Sequence, residues 1–411
     1  MRILQINTVC GFGSTGRNCT ELAQVLRENG HECHIAYGQG TTAYEPSYRV
    51  GTRFENHLHN VCSRLLGKQG YYTTWGTKGL VRYIEKIQPD VIHLQNLHGN
   101  YLNLKILFDY LSVLGTPVVW TLHDCWAYTG KCAHYTVANC QKWKTLCGDC
   151  PQYRKYPPSL LFDCSKTMYE DKKRWFTSVK NMTIVSVSNW LADEVRQSFL
   201  AKYPVVLIYN WIDQNIFGPR DRRVMQSVRK RYGLTEDAFV VLGVSAGWSN
   251  HKSSSSAGKL HDFCQLSQML RNPMQLVLVG HAKDPACIPN DAVHIPYVHD
   301  LAELAAIYNM ADVYVHLSME DTFGKVIAEA LACGTPAVVY DSTACPEGVG
   351  EGCGFVVEAR NVDEVHESLV KIHQTGKQAY SRRCVAFSES TFNYRNNTEA
   401  HLDLYRKVLH R

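Results

Sequence analysis

The chain has 411 residues, 45% of them hydrophobic and 20% charged, with a formal net charge of +5. A single hydrophobic core stops growing at roughly 250 to 300 residues, so two domains are expected. The composition excludes a disordered or fibrous protein, and the mild charge excludes a strongly basic nucleic-acid binder. No run approaches the roughly 18 consecutive apolar residues of a membrane span. Met1-Arg2-Ile3-Leu4 enters a strand pattern without the charged and apolar regions of a signal peptide, so a cytoplasmic protein is expected. The 16 cysteines are spread through a long chain and are expected to be mostly reduced and buried.

Short β-rich runs alternate with helical stretches along the first half: Arg2 to Val9, Cys33 to Tyr37, Val91 to Gln95, Val118 to Leu122, Thr183 to Val187 and Val205 to Tyr209. Their near-continuous Val, Ile and Leu content is that of parallel strands covered on both faces. The second half repeats the pattern with Phe239 to Val244, Gln275 to Val279, Val293 to Tyr297, Val313 to Leu317, Ala337 to Tyr340 and Gly354 to Val357. An α/β protein of two Rossmann-like domains follows, with a break near Trp211 to Pro219 where Asn, Asp, Gly and Pro interrupt the pattern. Ligands of such sheets bind beyond the carboxyl ends of the strands, which directs the search for a site to those ends and to a cleft between the domains.

The first strand runs into Cys10-Gly11-Phe12-Gly13-Ser14-Thr15-Gly16-Arg17, followed by a helix through Leu22, Val25 and Leu26. Glycines there let the backbone approach a ligand, and the helix start favours phosphate or another anion, so Gly13, Ser14, Thr15, Gly16 and Arg17 are candidate binding residues. Gly11, Gly13 and Gly16 also spell a dinucleotide fingerprint, but the next strand ends at Tyr37-Gly38-Gln39, without the acid that would hold a ribose. A dehydrogenase is therefore disfavoured.

The strand Val118 to Leu122 ends in His123-Asp124-Cys125-Trp126, and a strandless insertion at 125–175 follows. Cys132, Cys140, Cys147 and Cys150 lie within it, the last two as C-x-x-C. Four thiolates can close a tetrahedral structural zinc site, and ordinary buried or disulfide-paired cysteines are the alternative. Four sulfur ligands would leave no open position for a catalytic metal. Lys142, Lys144, Lys172, Lys173 and Arg174 are interleaved here with Trp143 and Trp175, a mixture suited to a membrane interface, an anionic acceptor or a solvated basic face.

The strand Val313 to Leu317 leads into Ser318-Met319-Glu320-Asp321-Thr322-Phe323-Gly324-Lys325-Val326-Ile327-Ala328-Glu329-Ala330, ending in Cys333-Gly334-Thr335-Pro336. Two acids separated by seven residues, then Ala, small residues, Gly and Pro, resemble the donor-binding signature of retaining GT4-type glycosyltransferases of the GT-B fold. The chain is similar to those that assemble bacterial capsule, exopolysaccharide or O-antigen repeats.

The resemblance implies that Glu329 takes the ribose hydroxyls and Asp321 the donor-sugar hydroxyls. The segment Thr322, Phe323, Gly324 and Lys325 would lie at the diphosphate. It further implies that Lys252, in the loop Ser245 to Lys252, grips the diphosphate, although the family's arginine position is Gly247. His123 would contact the donor sugar, making it a catalytic candidate with Asp321.

The implied organisation is an acceptor-side domain at 1–212, a donor domain at 213–390 and a last helix at 391–411 that returns to the first domain. The expected co-substrate is a nucleotide-sugar, with UDP favoured over GDP, and no cofactor is required for catalysis. The expected acceptor is a glycan or a polyprenyl-diphosphate-linked oligosaccharide, with peripheral contact to the inner face of the plasma membrane and no nucleic-acid partner. The rival functions are a GT-B sugar-nucleotide epimerase or hydrolase and a zinc-stapled binding protein.

Overall fold

The computed structural model describes residues 1–249 and 257–410, of which 257 and 258 are described only by their place in a helix. The chain forms two compact units: Met1–Tyr209 with Arg395–Arg411, and Asn210–Tyr394.

The first unit is built on β1 (Arg2–Asn7), β2 (Glu32–Tyr37), β3 (Ser47–Arg49), β4 (Val91–Leu94), β5 (Val118–Leu122), β6 (Met182–Ser186) and β7 (Val205–Leu207), in the spatial order β3-β2-β1-β4-β5-β6-β7. All the pairings are parallel. The crossovers carry α1 (Gly13–Glu28), α2 (Arg53–Leu66), α3 (Thr74–Ile87), α4 (Leu104–Val113), α5 (Ser165–Phe176) and α6 (Asn189–Arg196). β1, β4, β5 and β6 are buried almost throughout, as strands covered on both faces must be.

The second unit holds β8 (Phe239–Trp248), β9 (Met274–Ala282), β10 (Val293–Ile295), β11 (Val313–His316), β12 (Ala337–Tyr340) and β13 (Gly354–Val357), ordered β10-β9-β8-β11-β12-β13 and again parallel. Around this sheet lie α7 (Arg222–Arg231), α8 (Ala257–Met269), α9 (Leu301–Met310), α10 (Lys325–Ala332), α11 (Val362–Thr375) and α12 (Gln378–Thr391). One core face joins Val241, Leu276, Val313 and Val338 to Phe263 of α8 and Leu369 of α11. The last helix, α13 (Tyr394–Leu409), packs on the first unit, where Tyr405 Oη meets buried His93 Nδ1 at 2.6 Å.

Every strand expected from the sequence is present to within a few residues. Ser47–Arg49 was not expected, because a half-buried three-residue edge strand has no apolar run to announce it. Ser245 to Trp248, expected as loop, is instead the end of β8. It keeps its pairing to β9 across a bulge between Val244 and Gly247 and seats Trp248 in the core.

Candidate active site

In the second unit the acidic residues gather beyond the carboxyl end of β11. The loop after it turns at Gly324, whose φ of 73° is in the left-handed region, and α10 begins at the next residue. The loop is fixed by its neighbour after β12: Thr343 Oγ1 accepts from Asp321 N at 3.0 Å, and Ser342 Oγ donates to Met319 O at 2.9 Å. Asp321 Oδ1 accepts from Gly324 N at 2.8 Å and Phe323 N at 3.3 Å, while its Oδ2 lies 3.3 Å from His316 Nε2. Burial opposes ionisation of Asp321, but His316, the Lys259 charge and the Gly324 amide outweigh it and hold the pKa well below the usual carboxylate range. The Phe323 and Gly324 amides, expected to face a diphosphate, are thus already engaged by Asp321.

Glu329 stands on the second turn of α10 at 4% exposure, with Oε2 accepting from Tyr308 Oη at 3.1 Å. Thr322 and Phe323 are also buried, the Phe323 ring lying edge-on to Phe392 at 5.3 Å. The motif therefore folds inward, a helix start beyond a strand end with one carboxylate before it and another within it. Lys325 opens α10.

Lys252 lies outside the described residues. The cation that does couple to Asp321 is Lys259 on α8; burial lowers its pKa and the carboxylate opposes that shift. A lone lysine after a serine run carried no signal of this role. Gly247, at the family's arginine position, sits in β8 opposite His281. A larger recess of about 1130 Å³ in this unit is lined by Arg229, Asp312 and Gly334, at the amino ends of β11 and β12. Ligands of parallel sheets bind at the other end, so it is not assigned to the donor.

In the first unit the glycine turn is shorter than the sequence implied: α1 already starts at Gly13, so Gly13, Ser14, Thr15, Gly16 and Arg17 form its first turn. No side chain caps that start, Gly11 N bonds to Gly16 O at 3.0 Å, and Arg17 Nε is buried without a partner. A Cβ on Gly16 would stand 3.0 Å from Val9 Cγ2, so glycine here permits close packing of α1 on the loop after β1.

His123 follows β5, with Nε2 at 2.7 Å from Gln95 Oε1. Gln95 donates its amide to Gln5 Oε1 at 3.0 Å, and Gln5 donates to Cys19 O at 2.8 Å. That relay turns the Gln95 oxygen toward His123, so the imidazole carries its proton on Nε2. Asp124 does not share this network: it pairs with His98 at 2.8 Å and accepts from Trp126 N. Burial would raise its pKa, but His98 brings it down to about 2.

Beyond the same strand ends lies a cavity of about 540 Å³, entirely within this unit. Arg49, Arg53 and Arg64 line it with Asn96, His98 and Tyr156, and no Asp or Glu does. None of the three arginines takes part in an ion pair among the described residues. Arg49 Nε and Gln69 Oε1 are buried without partners. This cavity was not legible in the sequence, because its residues come from segments far apart in the chain, between Thr8 and Pro158.

Cys132, Cys140, Cys147 and Cys150 are free thiols around a cavity of only about 20 Å³, beside Trp143 and Tyr135. Among the described residues no group of three or more His, Cys, Asp or Glu is disposed to hold a metal ion, so the expected four-sulfur zinc site is not shown. Burial pushes Cys132 up to about 12 and Cys147 to about 11, while Cys147 Sγ accepts from Gly130 N. Of the basic and aromatic residues expected on one surface, Trp143, Trp175 and Lys172 are buried, while Lys142, Lys144, Lys173 and Arg174 are exposed. Lys172 Nζ donates to Thr129 O at 2.9 Å and lies 3.7 Å over the Trp126 ring, its pKa lowered by burial to about 7.

Two Rossmann-like units with parallel sheets make up a GT-B fold. The chain matches the family described as Glycosyltransferase Family 4 over residues 15–215 and Glycosyl transferases group 1 over residues 260–385. It belongs to the GT4-type glycosyltransferases. It is 24% identical to a protein of Escherichia coli K12 named as the colanic acid biosynthesis glycosyl transferase WcaC, over 88% of each chain. The fold is shared with sucrose-phosphate synthase from Thermosynechococcus elongatus (TM-score 0.72, 16% identity, 99% of this chain and 98% of that one). It is shared also with Anabaena HepE in complex with UDP (TM-score 0.68, 15% identity, 99% and 100%).

Proposed function

We propose that this glycosyltransferase moves a sugar, with retention of anomeric configuration, from a UDP-sugar to a glycan or lipid-linked oligosaccharide in bacterial surface polysaccharide synthesis. The observation that carries the proposal is the pair of inward-folded carboxylates, Asp321 before α10 and Glu329 within it, beyond the end of β11. The name of WcaC supports the polysaccharide assignment, and the UDP complex of HepE supports the choice of nucleotide.

In this proposal Glu329 takes the ribose hydroxyls by a bidentate hydrogen bond, and Asp321 orients the donor sugar. Lys325 at the start of α10, with the loop Thr322 to Gly324 before it and with Lys252 and Lys259, stabilises the charge that develops on the departing diphosphate. From the first unit, the start of α1 (Gly13 to Arg17) and His123 serve donor and sugar binding, and the arginine-lined cavity takes the acceptor. The acceptor hydroxyl attacks the anomeric carbon on the face the diphosphate leaves. Its proton passes to the leaving phosphate oxygen, which needs no covalent nucleophile. The domain roles follow: acceptor side at 1–212, donor side at 213–390, and the closing helix at 391–411.

The test is incubation with a UDP-sugar, with and without a lipid-linked oligosaccharide, followed by NMR of the product linkage. An α-linked product from an α-linked donor, formed only with acceptor, supports the proposal. Free sugar or an epimerised nucleotide-sugar released without acceptor would assign the chain to the hydrolase or epimerase alternative.

A further inference from the structure

The polar side of α2 forms one wall of the first unit's cavity. Arg53, Asn56, Asn60 and Arg64, at i, i+3, i+7 and i+11, share one face of the helix and all line the cavity. Arg49 joins them from the carboxyl end of the edge strand β3, the end at which ligands of parallel sheets bind. Arg49 Nε is buried without a partner, and neither Arg49 nor Arg53 takes part in an ion pair among the described residues. The carboxylates that border this wall are committed elsewhere: Asp124 pairs with His98 at 2.8 Å, and Glu55 accepts from Trp75 N and Gly76 N.

A chain of side-chain amides orients the rest of the wall. Arg64 Nε donates to Asn60 Oδ1 at 3.1 Å, which fixes that atom as the oxygen. Asn100 Nδ2 therefore donates to it, also at 3.1 Å, and Asn100 Oδ1 accepts from Gln69 Nε2 at 3.3 Å. The consequence falls on Gln69, a cavity residue that is only 3% exposed: its Oε1 is buried with no donor to satisfy it. A buried carbonyl oxygen left unpaired is destabilising, and a ligand hydroxyl is the group that would pair it.

The lining limits what can occupy the cavity. With no Asp or Glu, it offers nothing to a cation and no carboxylate to the hydroxyls of a ribose. Val9, Pro157 and Pro158 are its aliphatic members, too few to hold an acyl chain. Guanidiniums without counter-charge call for an anion, bound through the paired N–H geometry that suits carboxylate and phosphate alike. We propose that this cavity binds an acidic sugar, its carboxylate or phosphate held by Arg49 and Arg53 and a ring hydroxyl held by Gln69 Oε1. The role of that sugar as the acceptor rests on the proposed function; its binding does not.

The test is calorimetric titration of the full chain with two matched pairs: cellobiouronic acid against cellobiose, and glucose 6-phosphate against glucose. The acidic member of at least one pair is expected to bind about tenfold or more tighter than its neutral counterpart, with an affinity that falls as salt is raised. The pair that shows the preference tells carboxylate from phosphate. Arg49→Gln and Arg53→Gln are each expected to remove most of the preference while leaving UDP affinity unchanged, which separates loss of the anion site from loss of fold. Gln69→Leu is expected to weaken both members of a pair alike. The proposal is overturned if neither acidic sugar is preferred, or if the preference survives in both arginine variants. Arginine-dependent binding of inorganic pyrophosphate without binding of either acidic sugar also overturns it, in favour of a lipid-linked diphosphate. A wild type that keeps the acidic preference but binds no UDP contradicts the proposed function alone.

Discussion

His316 Nε2 lies 3.3 Å from Asp321 Oδ2, and Tyr314 Oη lies 2.9 Å from the other ring nitrogen of His316. With the Tyr314 hydroxyl donating to Nδ1, the neutral imidazole carries its proton on Nε2, which faces the carboxylate at 3.3 Å without reaching hydrogen-bond geometry; His316, Lys259 and Gly324 N together favour the ionised form of Asp321. Asp321→Asn preserves the shape and the bond from Gly324 N but removes the charge. The expected outcome is a turnover lower by about 10²–10³-fold with UDP affinity changed by less than about threefold, read by steady-state kinetics and calorimetry.

Tyr308 Oη donates to Glu329 Oε2 in the interior of the second unit. Tyr308→Phe removes that donor while filling the same space. UDP affinity is expected to fall by about 3–10-fold, equivalent to about 0.5–1.5 kcal/mol for one hydrogen bond, and calorimetry on the variant measures it.

The glutamine relay behind His123 gives a separate expectation. Gln95→Leu deprives His123 of its acceptor and leaves Gln5 Oε1 unpaired in the core. An unfolding free energy lower by about 1–3 kcal/mol, with a fall in kcat larger than any change in donor KM, is expected. Gln95→Glu, which restores an acceptor for His123, is expected to recover part of kcat.

Acid lability is expected from buried neutral imidazoles in the first unit. Burial lowers His59 to about 3 and His401 to about 4. His59 has Thr73 Oγ1 at 2.7 Å and accepts from Gly70 N at 3.0 Å, a pattern that holds the ring neutral. The unfolded chain takes up these protons near pH 6.5 and the folded chain does not, so stability is present above that pH and is lost as pH falls toward the folded values. The loss is about 1.4 kcal/mol per pH unit for each group. Denaturant midpoints measured from pH 7 to pH 4.5 check the slope, and His59→Gln is expected to reduce it.

The strands were legible because burial on both faces demands unbroken apolar runs, as in Val118 to Leu122. Asp321 and Glu329 were legible because the motif fixes their spacing across a strand end and a helix. Other features depend on what the chain brings together at a distance. Lys259 acquires its meaning only from Asp321, Lys172 is buried although its charge reads as surface, and the arginine cavity draws on segments far apart in the chain. In α2 the apolar residues Phe54, Leu58, Val61 and Leu65 face solvent while Asn56, His59 and Ser63 are buried, the reverse of what a periodic apolar stripe ordinarily does. The cysteine spacing left open four metal ligands or ordinary buried thiols, and among the described residues no group of three or more His, Cys, Asp or Glu is disposed to hold a metal ion.

The most direct test of the donor site is calorimetric titration of UDP into the wild type and into Glu329→Ala. Saturable UDP binding that weakens at least about tenfold in the variant is the expected result, since a buried bidentate carboxylate contributes roughly 1.5–3 kcal/mol through charge-assisted hydrogen bonds. Equal affinity in the two proteins would contradict the assignment of Glu329, and no UDP binding by the wild type would contradict the proposed UDP-sugar donor.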